Sequence, residues 1–140
     1  MKKRVLILCT GNSCRSQMAE GWVRHDLGQM VEVFSAGTKA SLVHPMAITV
    51  MAEAGVDISS HRSKSVQEYR GQPFDLVVTV CDDAKEACPM FPGAAKQIHE
   101  SFPDPAGFTG TDEEVLERFR EVRDQIRSEL VPLVQRELAV

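Results

Sequence analysis

The 140-residue sequence predicts a single α/β domain in which a four-stranded parallel sheet is flanked by helices. Three observations point there. Strand-like runs at Arg4–Leu8, Val31–Ser35 and Leu76–Val80, with a weaker one at Ala95–Ile98, alternate with helical patterns, as in a parallel sheet whose crossovers are helices. A short polar loop follows the first run directly, and a loop after the first strand of such a sheet lies at its carboxyl edge, where sites form. A chain of this length with 43% hydrophobic residues fills one core and is short for two.

Each element has its own local reason. Val5-Leu6-Ile7-Leu8 is wholly apolar and reads as a buried strand. Ser16–Leu27 follows the polar loop as a helix, and Val31–Ser35 supplies the second strand. Pro45–Ala54 has proline in its first turn and stops at Gly55. Ser65–Tyr69 is a short helical stretch before Leu76–Val80. The last helix opens on the capping box Thr111-Asp112-Glu113-Glu114 and sets Val115, Phe119, Val122, Ile126, Leu130 and Val134 on one stripe. Pro132 is expected to bend its final turns.

Composition removes several classes of function. A net charge of −4 with dispersed Lys and Arg argues against a nucleic-acid partner, because affinity for phosphate backbones comes from clustered basic residues. Met1-Lys2-Lys3-Arg4 resembles the start of a signal peptide, but the apolar run behind it is short and no small-residue cleavage site follows. No segment approaches the ~18 apolar residues of a membrane helix, so a cytoplasmic protein without a membrane partner is expected. In that reducing setting the four cysteines point to catalysis, redox chemistry or metal binding rather than structural disulfides.

The loop Cys9-Thr10-Gly11-Asn12-Ser13-Cys14-Arg15-Ser16 has the makings of an oxyanion cradle. Backbone N–H groups at a strand-to-helix turn converge on whatever sits there, and the helix dipole favours negative charge at the same point. Arg15 adds a planar fork that matches two oxygens of phosphate, sulfate or arsenate. The same field favours the thiolate of Cys9, the nucleophilic form of cysteine. Burial alone would account for two small cysteines, but not for the Gly11-Asn12 turn or for an arginine six places after Cys9. No Gly-Lys-Ser/Thr ending and no G-x-G-x-x-G is present, so the other common phosphate loops do not apply.

Cys81 follows the strand Leu76–Val80 and emerges at the edge where Cys9 lies; Cys88 comes six intervening residues later. Asp82–Ala87 is good helix-forming sequence ended by Pro89. As a helix it would hold Cys81 and Cys88 roughly 10 Å apart, beyond the about 7 Å between Cα atoms that a disulfide spans. Bonding would need that marginal helix to unwind. Packing and zinc are the other readings, and the cysteine spacings fit zinc poorly. Asp104, on the Pro103-Asp104-Pro105 loop after the fourth strand, can reach the same edge as a proton donor or can serve only as a turn residue. The four histidines are scattered without ligand spacing.

The C-x5-R-S pattern resembles the low-molecular-weight protein tyrosine phosphatases, and Cys9 through Glu20 is similar to their thioredoxin-coupled arsenate reductase branch. The cysteine pair separated by six residues, Ser35-Ala36-Gly37 and Pro103-Asp104-Pro105 carry the resemblance from Val5 to the last helix. It implies a flavodoxin-like four-stranded sheet. It further implies a site in which Thr10, Gly11, Asn12, Ser13, Cys14, Arg15 and Ser16 bind arsenate, with Ser16 hydrogen-bonded to the Cys9 thiolate. By the same resemblance Cys9 attacks arsenate, Cys81 attacks Cys9 and releases arsenite, Cys88 attacks Cys81, and thioredoxin reduces the final disulfide. Asp104 is implied as the acid, Cys14 has no obligatory step, and no bound cofactor is expected.

Some relatives hold potassium through residues matching Asn12, Glu20 and Ser35 together with an acidic residue where this chain has Lys64. An ammonium there repels a cation, so the expectation is no metal and a Lys64–Glu20 pair. Two other functions compete. A tyrosine phosphatase would use Cys9, Arg15 and Asp104 without the second pair, and Asp104-Pro105-Ala106-Gly107 offers it no aromatic residue to stack on a phenyl ring. A non-catalytic thiol sensor would need only the cysteine pair, leaving Arg15 and Asp104 unused. A monomer is expected.

Overall fold

The structure, a computed structural model, describes residues 2–81 and 90–140. The proposed helix over Asp82–Ala87 and Cys88 lie outside the described residues. In chain order the elements are β1 (Lys3–Cys9), α1 (Arg15–Leu27), β2 (Val31–Gly37), α2 (Pro45–Glu53), β3 (Leu76–Thr79), β4 (Gln97–His99) and α3 (Asp112–Leu138), with short 3-10 turns at Val66–Tyr69 and Pro105–Gly107. The four strands form one parallel sheet in the order β2-β1-β3-β4.

β1 is central because all its inner residues are apolar, and Val5 through Leu8 are fully buried on both faces. Alternation along it separates two cores. Val5, Ile7 and Cys9 face the cluster built with Met18 and Trp22 of α1, Val50 and Met51 of α2, and Phe119 and Ile126 of α3. Leu6 and Leu8 face a smaller cluster with Phe74, Val77 and Phe91, against which Phe34, Val66 and Tyr69 pack. Gly21 lets α1 approach closely, since a Cβ there would lie 2.8 Å from Ile58 Cγ2.

The elements match the sequence-based expectations with shifts at their ends. α2 opens on Pro45, with the His44 ring accepting from the Met46 N–H at 3.1 Å. The capping box of α3 is formed on both sides, and its Phe119, Val122, Ile126, Leu130 and Val134 stripe is fully buried. The helix runs through Pro132 to Leu138. β2 is longer than predicted and ends at Gly37, while Ser65–Tyr69 contains a 3-10 turn rather than an α-helix. α1 begins at Arg15, so Ser16 lies inside its first turn.

Candidate oxyanion site

The loop from Cys9 to Arg15 is fixed from outside by its carbonyl groups. Cys9 O and Thr10 O accept from the N–H groups of Thr38 and Lys39, Gly11 O from Ser41, and Ser13 O from His44. In a planar trans peptide the N–H points opposite the C=O, so anchoring carbonyls on the outside turns amides inward. The N–H groups of Gly11, Asn12, Ser13 and Cys14 have no hydrogen-bond partner among the described residues. Such a concave row of donors at the start of a helix suits an anion. Gly37 lies directly beneath: a Cβ there would stand 2.3 Å from Thr10 O and 2.9 Å from Asn12 N.

Asn12 makes the tight turn possible. Its φ of 46° is left-handed, a region asparagine tolerates better than most residues. Its fully buried side chain uses both ends. Nδ2 donates to Ser16 Oγ (2.8 Å) and Ser35 Oγ (2.9 Å), and Oδ1 accepts from Gln17 Nε2 (2.9 Å) and the Lys64 N–H (2.8 Å).

Ser16 carries this order to the sulfur. Cys9 Sγ and Ser16 Oγ are 3.0 Å apart in a buried setting. When the sulfur is a thiolate, only Ser16 has a proton to give.

Arg15 and Asp104 close the other side. Arg15 is buried; its NH1 donates to Phe102 O at 3.4 Å and its NH2 stands 3.7 Å from Asp104 Oδ2. Asp104 is both the turn residue and the candidate acid. Its Oδ1 accepts from the Ala106 N–H (3.0 Å), while the carboxylate faces Arg15 and the loop. Cys14 donates its thiol to Asp104 Oδ1 at 3.6 Å. Burial, then the charge of Asp104, pushes the Cys14 thiol up to about 12, so it stays neutral and is a poor nucleophile.

Cys81 arrives by register. Leu8 pairs with Thr79, and Val80 N–H donates to Leu8 O, so Cys81 ends up beside the start of the loop. It is fully buried, in the same cluster as Cys9 and Cys14, with its sulfur 3.9 Å from Leu8 O.

Behind the loop sits a buried carboxylate surrounded by cations. Glu20 accepts from Ser35 Oγ at 2.5 Å and lies 2.8 Å from Arg24, 3.6 Å from His61 and 3.7 Å from Lys64. Burial pushes the Glu20 carboxyl up, but the Ser35 hydroxyl and the charges of Lys64, His61 and Arg24 outweigh it and hold the group below the usual glutamate range. Burial likewise pulls Lys64 and His61 below their usual ranges, with Glu20 opposing. Lys64 Nζ also donates to Arg62 O at 3.1 Å, so the ammonium stands beside Glu20 as the sequence led us to expect. Among the described residues no group of three or more His, Cys, Asp or Glu side chains could hold a metal ion.

The predicted loop residues, Arg15, Asp104 and Cys81 therefore come together at one edge; Cys88 lies outside the described residues. Three contributors escaped the sequence reading. Gln17 ties Asn12 to Arg62 O and to the His61 ring, a role no spacing announces. Phe108 and Arg118 line the cleft of about 570 Å³ that opens above Cys9 and Arg15. The Asp104-Pro105-Ala106-Gly107 segment does lack aromatic residues, but the next residue, Phe108, supplies a ring at the wall.

A cysteine and an arginine on an anion loop after β1, faced by an aspartate, place the chain by fold and site among cysteine-based phosphatase-like proteins. It belongs to the low molecular weight phosphotyrosine protein phosphatase family, whose profile matches residues 4–139. Within that family several curated relatives are arsenate reductases. One from Halalkalibacterium halodurans is 49% identical over 125 residues, covering 89% of this chain and 90% of the relative. A solved arsenate reductase in the phosphate binding state superposes with a TM-score of 0.81 at 33% identity, over 96% of this chain and 98% of that one. The thioredoxin-dependent arsenate reductase of Corynebacterium glutamicum matches with a TM-score of 0.65 at 30% identity, over 96% of this chain and 64% of that one. Among the described residues no helix is long and apolar enough to cross a membrane.

Proposed function

We propose that this protein reduces arsenate to arsenite through Cys9, Cys81 and Cys88, with thioredoxin as the reductant. The observation that carries the reading is the position of Cys81: a second buried thiol beside the loop that holds Cys9 and Arg15 is what a reductase needs and a phosphatase does not. The arsenate reductases among its relatives and the thioredoxin-dependent one among its structural neighbours support it.

In this mechanism the loop amides and Arg15 hold the oxyanion. The Cys9 thiolate, hydrogen-bonded by Ser16, forms a sulfur–arsenic bond as one oxygen leaves with a proton from Asp104. The Cys81 thiolate then attacks Cys9 sulfur; the sulfur–arsenic bond breaks, its electron pair stays on arsenic, and arsenite departs. Two thiols have become one disulfide and arsenic has gained two electrons. Cys88 attacks Cys81 and frees Cys9, and the thioredoxin dithiol reduces the Cys81–Cys88 bond. The same reading takes the protein as a cytoplasmic monomer with no resident cofactor or metal and no nucleic-acid or membrane partner. The test is NADPH oxidation by the pure protein with arsenate, thioredoxin and thioredoxin reductase: Cys9→Ser, Cys81→Ser and Cys88→Ser should each abolish it.

Hydrolysis of aryl phosphates is a second reading, favoured by Phe108 at the cleft wall. It requires Cys9, Arg15 and Asp104 but not the second cysteine pair, so Cys81→Ser and Cys88→Ser should retain it while Cys9→Ser loses it.

A further inference from the structure

The floor of the cleft is poor in net positive charge. Arg15 faces Asp104 at 3.7 Å, and Cys9 must itself be a thiolate to react. A multiply charged oxyanion must therefore enter a site whose buried arginine already faces a carboxylate, on a chain with a net charge of −4. Among the described residues, the charged side chains lining the cleft are Arg15, Asp104 and one more, Arg118.

Arg118 projects from α3 with its side chain 41% exposed, and its guanidinium lies 5.9 Å from the centre of the Phe108 ring. Its carboxylate partner is Glu121 at 4.0 Å, more than half exposed and so at the outer limit of an ion pair. An arginine fixed over a ring at the mouth of a cleft keeps its charge and loses little freedom when an anion arrives. We propose that Arg118 is an outer anion-capture residue, which draws the tetrahedral oxyanion into the cleft and delivers it to Arg15 and the loop amides. This rests on the reading that the loop binds an oxyanion. It adds a residue that sets affinity and capture rate without taking part in bond-making.

Two unit charges a few ångströms apart in water interact strongly enough to change binding about fivefold, and salt weakens this as the Debye length shrinks to about 8 Å at 0.15 M. Inorganic phosphate serves as the probe, by calorimetric titration at low and at physiological ionic strength, beside arsenate kinetics with saturating thioredoxin. Arg118→Ala should weaken phosphate binding and raise KM for arsenate about fivefold at low salt and about twofold at physiological salt, with the loss in KM rather than kcat. Arg118→Lys should recover most of it, and Glu121→Gln should tighten phosphate binding. Unchanged phosphate affinity in Arg118→Ala at low salt overturns the proposal. So does a loss that is equal at both salts and not recovered by lysine, since that would be lost packing on Phe108. A wild-type protein that binds phosphate but does not turn over arsenate refutes the reductase reading and leaves the Arg118 test intact; one that binds no phosphate refutes both.

Discussion

Replacing Asn12 by alanine should cost more stability than any other single change in the loop. Four hydrogen bonds end on its buried amide, to Ser16, Ser35, Gln17 and the Lys64 N–H. Each contributes roughly 1 kcal/mol net, and the Lys64 N–H, left buried without a partner, adds a desolvation penalty of about 1–3 kcal/mol. Alanine at a φ of 46° adds a further ~1 kcal/mol. Allowing for non-additivity, the expected loss is about 4 kcal/mol, read as a shift in the urea midpoint at constant slope. Asn12→Gly keeps the conformation and loses only the bonds, so it should be less destabilised than Asn12→Ala by about 1 kcal/mol. Both variants should also lower kcat, because Ser16 would no longer be held against Cys9. A loss under ~1 kcal/mol for Asn12→Ala, or equal stability of the two variants, would refute the view that this side chain builds the loop.

Gly37→Ala should abolish phosphate binding in a titration while the protein remains folded by circular dichroism, since its Cβ would stand 2.3 Å from Thr10 O and force the loop out of shape. Activity should be the same in potassium and in a large organic cation at equal ionic strength, because the Lys64 ammonium already stands beside Glu20; a saturable gain with potassium alone would contradict this. Glu20 has a folded-state carboxyl held below the usual value of about 4.5, so its stabilising effect is fully present above that pH and is lost as pH falls through the folded value. Urea unfolding between pH 7 and pH 3 should therefore show a steeper acid loss in the wild type than in Glu20→Gln, and parallel curves would mean that the surrounding cations do not favour its charged form.

Local pattern made most of the fold legible. An apolar run that needs burial on both faces can only be a central strand, and Val5–Leu8 is one; the period of the last helix and its capping box determine α3 in the same way. The ends of elements were harder because they depend on neighbours. β2 extends to Gly37 because its last residues pair with Leu8 and Cys9 of β1, a contact that nothing within Val31–Ser35 announces. Cys9, the loop and Arg15 were readable because their chemistry is compact in sequence. Asp104 and Cys81 were readable as residues at one edge, since the order of strands brings that edge together. Arg118 was not: it sits among alternating charges on the exposed side of a helix, where only the approach of Phe108 from another loop turns a solvated arginine into the wall of a cleft. His61 belonged with scattered histidines in the sequence, yet the fold sets it against Glu20 and Gln17.

The most direct measurement of the central claim is a single turnover by Cys88→Ser. With this variant and stoichiometric arsenate, without thioredoxin, the cascade must stop after the second step. Mass spectrometry of the quenched, alkylated protein should find one Cys9–Cys81 disulfide per arsenite released, with Cys14 alkylated and free. Arsenite release without that disulfide, or a Cys9–Cys14 bond in its place, would contradict the assignment of Cys81 as the thiol that completes the reduction.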